Sequence, residues 1–403
     1  MFERDILIIG GGPSGLSTAL HLARDFPDLT PRLLVLEKAR YPRPKLCAGG
    51  LVLDAEVILQ RLGLDVCEVP HVDVKDIHFD FEARGLNIRF PNRHALRVIR
   101  RDEFDNWLAE KAESRGVEIR EGVIVKNIVP DQNDVTVETD QGFFKAKVVV
   151  GADGSNGNTR RCIFPNAPIY TARVLEVLTP TQPSPNFKEI GGEQGGRGRV
   201  AYFDFLPVPE NIAGYVWDFP TQINGEPMRC WGIYDTNILA SVKRPQLKKP
   251  LAEEMSRRGY NLDEFEIQGH PIRWFSPDNP MSVPRVLLVG DAAGADPLFG
   301  EGISIALGYG VLAAGAIGVA FQRNDFSFKG YRRRVLTSAL GQALIARWFI
   351  ANIVYPLKWK WFHILLWRVM KPVVAITAWL FVLNWGKRLP HPHPPRGRGC
   401  IMI

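Results

Sequence analysis

Short hydrophobic runs that end abruptly at glycine are the main pattern of this chain, and they predict buried strands that lead into helices. The first run, 5–9, ends at Gly10 and is followed by a helical pattern at 16–24. A second run, 286–289, ends at a Gly-Asp pair and is followed by a glycine-rich loop and a long helical pattern from about residue 301. Because a helix N-terminus carries unpaired N–H groups, each junction is a place where an anionic ligand could bind.

Between these two junctions the pattern changes to alternating polar and apolar residues, which predicts strands. Strands are expected within 72–99, and a helix at 102–114 is followed by four strands between 117 and 150. We therefore predict an α/β fold with a Rossmann-like domain built from discontinuous segments, a β-sheet substrate domain and a C-terminal helical region. The predicted boundaries are 1–71, 100–164 and 284–325 for the cofactor domain, 72–99 and 165–283 for the substrate domain, 326–385 for the helical region and 386–403 for a disordered tail.

The first junction carries the fingerprint of a dinucleotide site. Gly10, Gly12 and Gly15 have the GxGxxG spacing that lets the backbone turn tightly and approach a pyrophosphate. Glu37 ends the second predicted strand, 22 residues after Gly15, where a carboxylate would bind the ribose hydroxyls of an adenosine. The fingerprint leaves NAD and FAD open, although the long irregular segment at 38–51 suits a cofactor that extends beyond the adenosine.

Charge is distributed unevenly along the 403 residues. The stretch from residue 326 onwards contains thirteen Lys or Arg and no Asp or Glu, so the net charge of +7 belongs to this stretch and the preceding part is acidic. This asymmetry argues against a nucleic-acid partner. The five cysteines are scattered without a CxxC pair, which argues against a disulfide framework or a metal site and for a reducing, cytoplasmic compartment.

Four motifs resemble, in order and spacing, those of FAD-dependent oxidoreductases with the p-hydroxybenzoate hydroxylase fold. They are the GxGxxG loop, Arg101 just before its predicted helix, GADG at 151–154 and GDAAG at 290–294. The family commonly has a Ser three or four residues after the DG pair, and the shifted Ser and Thr here leave their roles open. The resemblance implies FAD, with the cofactor-binding residues Gly10, Gly12, Ser14, Gly15, Glu37, Lys38, Cys47, Gly49, Arg101, Val125, Asp291, Gly302 and Ile303.

Two further motifs are similar to those of the geranylgeranyl reductase family. Tyr215, Trp217 and Phe219 match its YxWxFP motif and project to one face of a predicted strand as a rigid apolar wall. By periodicity alone, a core sheet face is the favoured interpretation of this alternation. The segment 46–50 matches the family's Cys-Gly-Gly loop with an inserted alanine, and the resemblance places Cys47 near the isoalloxazine as a proton donor or as packing.

The second resemblance implies that reduced FAD gives a hydride to one carbon of an isolated alkene while a proton reaches the other. We expect saturation of the isoprenoid double bonds of a geranylgeranyl or polyprenyl lipid. Cys47, Tyr215 and Trp217 are the catalytic candidates, and Tyr215, Trp217 and Phe219 line the substrate tunnel. Since the sequence has no second Rossmann fingerprint, NADPH would bind transiently or a ferredoxin-like carrier would supply electrons. Two alternatives share the fold: a flavin-dependent monooxygenase, and a quinone-linked electron-transfer flavoprotein.

The C-terminal region is rich in tryptophan and basic residues. Residues 343–385 hold six of the ten tryptophans, and the longest apolar run, 372–383, falls short of a spanning helix, which needs roughly 20 residues. Trp with Lys and Arg and without acids favours peripheral, monotopic association with an anionic membrane surface, where a prenyl lipid also resides. A helical cap over the protein's own core is the alternative interpretation.

Overall fold

The computed structural model describes residues 2–181, 199–239 and 245–390. The strands are β1 (Phe2–Ile9), β2 (Leu33–Glu37), β3 (Gly50–Leu51), β4 (His71–Val74), β5 (Asp76–Asp80), β6 (Gly85–Arg89), β7 (Leu96–Ile99), β8 (Glu118–Glu121), β9 (Val125–Pro130), β10 (Val135–Thr139), β11 (Gly142–Gly151), β12 (Thr171–Pro180), β13 (Val200–Asp204), β14 (Gly214–Ile223), β15 (Glu226–Asp235), β16 (Gln268–Arg273), β17 (Ser282–Val283) and β18 (Val286–Leu288). The α-helices are α1 (Pro13–Asp25), α2 (Leu53–Arg61), α3 (Arg101–Glu113), α4 (Asn158–Ile163), α5 (Lys248–Arg257), α6 (Ile303–Arg323), α7 (Tyr331–Thr337), α8 (Ala339–Val354), α9 (Lys360–Ile364) and α10 (Lys371–Thr377). Two π-helical turns, Leu365–Val369 and Ala378–Val382, follow α9 and α10.

The N-terminal strand β1 lies inside an eight-stranded sheet. The strand order is β17-β18-β11-β1-β2-β8, and all of these neighbours are parallel except β17 and β18. Strands β9 and β10 extend the sheet from β11 in antiparallel pairing. Because the carboxyl ends of parallel strands meet at one edge, the two predicted glycine junctions, Glu37 and the GADG turn are brought to the same side of the sheet.

Helix α6 forms the centre of the core beside this sheet. By length and composition it is the one described helix that could cross a membrane, but 94% of its most apolar window is buried inside the protein. It packs against α1 and α2, so its apolar surface is covered by other helices on more than one side. The segments Lys360–Val369 and Lys371–Arg388 pass the same test only as a pair, and they are bent by 78°.

A second, seven-stranded sheet has the order β16-β12-β15-β14-β13-β5-β6 and is antiparallel except between β13 and β5. A third sheet of three strands has the order β3-β7-β4. The strands of segment 72–99 are therefore divided. Strands β5 and β6 join the large antiparallel sheet, whereas β4 and β7 form the small one with β3, which follows the loop that carries Cys47.

The predicted disorder of 386–403 is wrong at its start. The N–H of Gly386 donates to the Asp54 carboxylate at 2.8 Å, and the guanidinium of Arg61 donates to the Leu389 carbonyl at 2.9 Å. Asp54 lies in the first turn of α2 and Arg61 is its last residue, so the short 3-10 turn at Gly386–Arg388 is fixed against both ends of that helix. The remaining residues of the predicted tail lie outside the described part of the chain.

A buried arginine ties the C-terminal helices to the rest of the core. Arg347 of α8 is 2% exposed, and its Nη1 donates to Asp296 at 2.9 Å and to Glu301 at 2.8 Å. Its Nη2 donates to the Val382 carbonyl at 2.8 Å. Burial lowers the pKa of Arg347, but the two carboxylates more than offset this effect and raise it above its ordinary value. The side chain therefore stays charged and joins α8, the segment before α6 and the second π-helical turn.

Replacing Arg347 with Met should destabilise the protein by about 3–5 kcal/mol, because two carboxylates would stay buried without a countercharge. Urea denaturation followed by circular dichroism measures the change. Arg333 is exposed on α7 and serves as the matched control, so Arg333→Met should change stability by no more than ~0.5 kcal/mol. Equal unfolding midpoints for the two variants would contradict the structural importance of this cluster.

Candidate active site

One cavity of about 750 Å³ brings together nearly all of the residues that the sequence singled out. Gly15 is the exception, because it lies behind the glycine loop and packs against the backbone of Gly10. The predicted residues that line the cavity are Gly10, Gly12, Ser14, Glu37, Lys38, Cys47, Gly49, Arg101, Val125, Tyr215, Trp217, Phe219, Asp291, Gly302 and Ile303.

The glycine loop between β1 and α1 contains glycines with different roles. A Cβ on Gly15 would lie 2.0 Å from the carbonyl oxygen of Gly10, so this glycine is needed for α1 to pack against the strand. A Cβ on Gly12 would meet nothing closer than Nη2 of Arg43, at 3.6 Å. Gly12 borders the cavity at the N-terminus of α1. A diphosphate can therefore approach the free N–H groups of the first helical turn.

Glu37 lies at the carboxyl end of β2, and its side chain is almost fully buried. Its carboxylate accepts hydrogen bonds from the N–H groups of Gly11 at 2.8 Å and Ala39 at 3.0 Å. Nη2 of Arg43 lies 3.5 Å from the same carboxylate. Since a carboxylate has about four acceptor positions, it retains capacity for the ribose hydroxyls that the sequence predicted here.

Positive charge lies beside the glycine loop. Nε and Nη2 of Arg101 donate to the fully buried Asp105 at 2.8 and 2.7 Å, and Nη2 of Arg43 lies 3.2 Å from the same carboxylate. Burial lowers the pKa of Arg101, but Asp105 more than offsets this effect and raises it. The bidentate pair holds one guanidinium in a fixed orientation at the cavity wall, which suits an anionic diphosphate.

The structure separates the roles of the Ser and Thr that follow the GADG turn. Ser155 Oγ donates to Asp291 at 3.0 Å and accepts from the N–H of Arg273 at 3.0 Å. Thr159 instead bonds Asp153, through its N–H at 2.8 Å and its hydroxyl at 3.0 Å. Ser155 thus orients the Asp291 carboxylate at the cavity, whereas Thr159 fixes the turn itself.

Four further predicted positions lie along the cavity wall and at its rim. Lys38 is exposed at the rim. The carbonyl of Val125 accepts a hydrogen bond from Asn158 Nδ2 at 2.7 Å, so this backbone group already has a partner. Gly302 precedes the first residue of α6, Ile303, and both border the cavity.

The other side of the cavity is one face of the seven-stranded sheet. Tyr215, Trp217 and Phe219 of β14 face the cavity. Val216, between them, belongs to a separate core on the opposite face. Trp217 extends across Gly232 of β15, where a Cβ would lie 2.1 Å from the indole ring. The indole can occupy this position only because residue 232 has no side chain.

Apolar side chains continue this wall towards the protein surface. Phe79 and Phe203 stack with ring centroids 4.8 Å apart, and Ile88 of the edge strand β6 borders the same cavity. Val374 of α10 and Trp379 of the second π-helical turn close the opposite side, and Trp379 is 50% exposed. The apolar part of the cavity therefore reaches the surface beside α10.

Three buried tyrosines hold the loop at 296–300, which forms part of the cavity wall. Their hydroxyls donate to loop carbonyls in the pairs Tyr215 with Phe299, Tyr234 with Asp296, and Tyr355 with Leu298. Burial raises the pKa of Tyr215 far above its ordinary value. Its hydroxyl donates to the Phe299 carbonyl, so Tyr215 holds this loop in position.

Sequence reasoning missed an acid on the sheet side of this cavity. The pKa of the Cys47 thiol is raised by burial, and next to it lies Glu176 of β12, whose carboxyl accepts the backbone N–H of Cys47. Glu176 is 7% exposed, and burial raises its pKa to about 7. A lone acid inside the apolar run VLEVL was the available signal. Arg347 was also missed as a buried cation, although it is the only charged residue of α8.

Comparison with known proteins agrees with this geometry. The family described as FAD binding domain matches residues 3–308. A geranylgeranyl bacteriochlorophyll reductase-like structure from Thermoplasma acidophilum superposes with a TM-score of 0.73 over 95% of this chain and 93% of that chain, at 20% identity. The menaquinone reductase of Mycolicibacterium smegmatis is 26% identical over 77% of this chain and 75% of its own. Digeranylgeranylglycerophospholipid reductase 3 of Methanosphaera stadtmanae is 24% identical over 81% and 80%.

The fold and the site together define an FAD-dependent oxidoreductase. The chain belongs to the FAD binding domain family, and the predicted α/β fold and the predicted likeness to geranylgeranyl reductases are confirmed. The residues present fit this cofactor. Gly12 and Arg101 would hold the diphosphate, Glu37 the ribose hydroxyls and Asp291 the hydroxyls of the ribityl chain.

A methyl group at Gly12 should weaken FAD binding about tenfold or more, because it would occupy the space of the diphosphate without disturbing the fold. Titration of apoprotein with FAD, followed by flavin fluorescence, measures the dissociation constant of Gly12→Ala. Gly15→Ala is the contrasting variant, since its methyl group would collide with backbone and should lower the unfolding midpoint. Wild-type affinity in a folded Gly12→Ala protein would place the diphosphate elsewhere.

Proposed function

We propose that this protein saturates isoprenoid carbon–carbon double bonds of a geranylgeranyl or polyprenyl lipid. The observation that supports the proposal is the continuity of the FAD cradle with an aromatic-walled chamber that reaches the surface beside α10. A long hydrocarbon chain finds apolar contacts along this wall, whereas a polar substrate would lose its hydration there without gaining partners.

The chain's own residues would position the alkene and exclude water. Bound FAD supplies a hydride once it is reduced. Trp217 and Phe219 present flat apolar surfaces to the chain, and Phe203 extends them, so the double bond would lie in a dry environment. We propose NADPH or a ferredoxin-like carrier as the source of the electrons, because one dinucleotide fingerprint is present and FAD would occupy it.

We also propose that the protein attaches to an anionic membrane surface through its C-terminal region. Eleven of the sixteen large hydrophobic side chains that are exposed in the described chain lie between residues 349 and 381, so exposed apolar surface is concentrated in this segment. We call this set the apolar patch: Phe349, Ile353, Trp359, Trp361, Leu365, Val369, Val373, Ile376, Trp379, Leu380 and Phe381.

The charges around the apolar patch fit anionic lipid. Lys358, Lys360, Arg368 and Lys371 lie among its residues, and the sequence has no acid beyond residue 325. Among the described residues, Glu82 forms ion pairs with two of these cations, Lys360 and Arg368. The patch therefore keeps a net positive charge, and the cavity reaches the surface within it, at Trp379.

Anaerobic incubation of the dithionite-reduced holoprotein with a geranylgeranyl lipid should add hydrogen in pairs to the prenyl chain, which mass spectrometry detects. Trp217→Ala should lower this turnover about 100-fold, because the alkene would lose its wall and its alignment. The flavin absorbance of the purified Trp217→Ala protein should show that FAD remains bound. Val216→Ala, on the same strand but facing the other core, should retain turnover.

The rival activities have different signatures in the same assay. An oxygen atom added only in air with NADPH would indicate a monooxygenase. Unchanged lipid together with flavin reoxidation by a quinone would indicate an electron-transfer flavoprotein. Turnover of Trp217→Ala at the wild-type rate would contradict the proposal that Trp217 lines the substrate site.

Substitution of Trp361, Trp379 and Phe381 by serine should reduce sedimentation with vesicles of phosphatidylcholine and phosphatidylglycerol at least about tenfold, because apolar area for insertion is lost. Truncation is not a usable test, since Tyr355 and Trp385 are fully buried in the core. The matched control replaces exposed apolar residues outside the patch with serine, namely Ile124, Phe143 and Ile169. Equal sedimentation of the two triple variants would refute the proposed attachment.

A further inference from the structure

We propose that the carboxyl group of Glu176 is the acid that protonates the substrate alkene. This inference rests on the proposed function and deepens it, because it assigns the proton to one side chain. The resemblance had placed Cys47, Tyr215 and Trp217 as catalytic candidates. The structure adds a carboxyl group among them that no sequence motif identified.

The strand register places Glu176 beside the indole of Trp217. Glu176 pairs with Gly232 across β12 and β15, and Gly232 pairs with Trp217 across β15 and β14. Directly opposed residues project to the same face of a sheet, so the carboxyl group and the indole belong to one row. The outer edge of the indole extends over Gly232 towards β12. No side chain therefore separates the acid from the aromatic wall that would hold the alkene.

Glu176 differs from the other acids around the cavity. Among the described residues of the seven-stranded sheet, Glu176 is the only Asp or Glu that lines the cavity. Glu37, Asp153 and Asp291 lie in the cofactor half, and Asp296 and Glu301 are held by Arg347. Asp54 accepts hydrogen bonds from the N–H groups of Asn384 and Gly386. The carboxyl group of Glu176 instead faces the apolar half, with the Cys47 N–H as its hydrogen-bond donor.

The proposed step is balanced in atoms and electrons. Glu176 gives its carboxyl proton to one alkene carbon as the other carbon receives the hydride that reduced FAD supplies. The π bond breaks, two C–H bonds form, and the alkene gains the two electrons that FAD loses. The resulting carboxylate of Glu176 keeps the N–H of Cys47 as a donor and regains a proton from water before the next turnover.

Burial, rather than the neighbouring groups, keeps part of the Glu176 carboxyl protonated near neutral pH. Burial raises the pKa of Glu176 to about 7, while the Cys47 N–H and the charge of Arg100 act in the opposite direction. The thiols of Cys47 and Cys230 also face it, and burial raises the pKa of both, so they stay neutral. His270 borders the same cavity from β16. The acid form is present below the pKa and is lost as the pH rises through it.

Single-turnover reoxidation of the reduced holoprotein by a geranylgeranyl lipid, measured against pH, tests the assignment. The wild-type rate should be constant below about pH 7 and fall above it, because only the protonated acid donates. Glu176→Gln should react about 10²–10⁴-fold more slowly without this break. Glu176→Asp keeps a carboxyl group and should recover part of the rate together with a break.

A second readout does not depend on turnover. In the oxidised holoprotein, the infrared difference spectrum of wild type minus Glu176→Gln should contain the carbonyl band of one protonated carboxyl group, and this band should disappear as the pH rises through about 7. Glu176→Gln and Glu176→Asp should both bind FAD and the lipid as the wild type does. This match would show that the loss of rate is not a loss of fold.

The outcomes separate this inference from the proposed function. No hydrogen added by the wild type would overturn the proposed function and this inference with it. Hydrogen added by Glu176→Gln at the wild-type rate, with the same break, would overturn the inference alone. A break that disappears in Cys47→Ser and persists in Glu176→Gln would assign the proton to Cys47 instead.

Discussion

The pairing of Arg347 with Asp296 and Glu301 is the interaction on which the geometry of the cavity depends. Three charges in the protein interior would cost several kcal/mol each if they were unpaired, so few arrangements of these side chains are allowed. Asp296 begins the loop that borders the cavity, and Glu301 lies two residues before the first residue of α6. The same guanidinium binds the Val382 carbonyl in the C-terminal π-helical turn. The cofactor half and the C-terminal wall of the cavity are therefore positioned by one side chain.

Local pattern predicted the cofactor half of the site because each part of it is encoded in a few consecutive residues. A buried strand, a glycine turn and a helix start specify one another over short distances, and parallel pairing then brings their ends together. Glu176 could not be found in this way, since its place beside Trp217 depends on the pairing of β12, β14 and β15. The order at residues 386–390 was missed for a similar reason. Composition indicated a disordered tail, but the partners Asp54 and Arg61 lie more than 300 residues earlier.

Periodicity also could not decide whether the aromatic residues of β14 pack in a core or line a cavity, and the structure shows that they do both. Tyr215 packs among buried aromatic side chains and directs its hydroxyl to a loop carbonyl. Trp217, two residues further on, lies over a glycine and borders the cavity. Neighbouring positions of one alternating pattern thus have different surroundings, because the facing strand offers a tyrosine at 234 and no side chain at 232.

The three tyrosine hydroxyls on the loop at 296–300 have a consequence for ligand entry. Each one holds a backbone carbonyl, so the loop has already lost its conformational freedom during folding. A ligand that contacts this wall meets a preorganised surface and bears little ordering entropy on binding. The loop is correspondingly unsuited to act as a lid. The opposite wall has more freedom to move, because α10 has no buried residue and most of its π-helical turn is exposed.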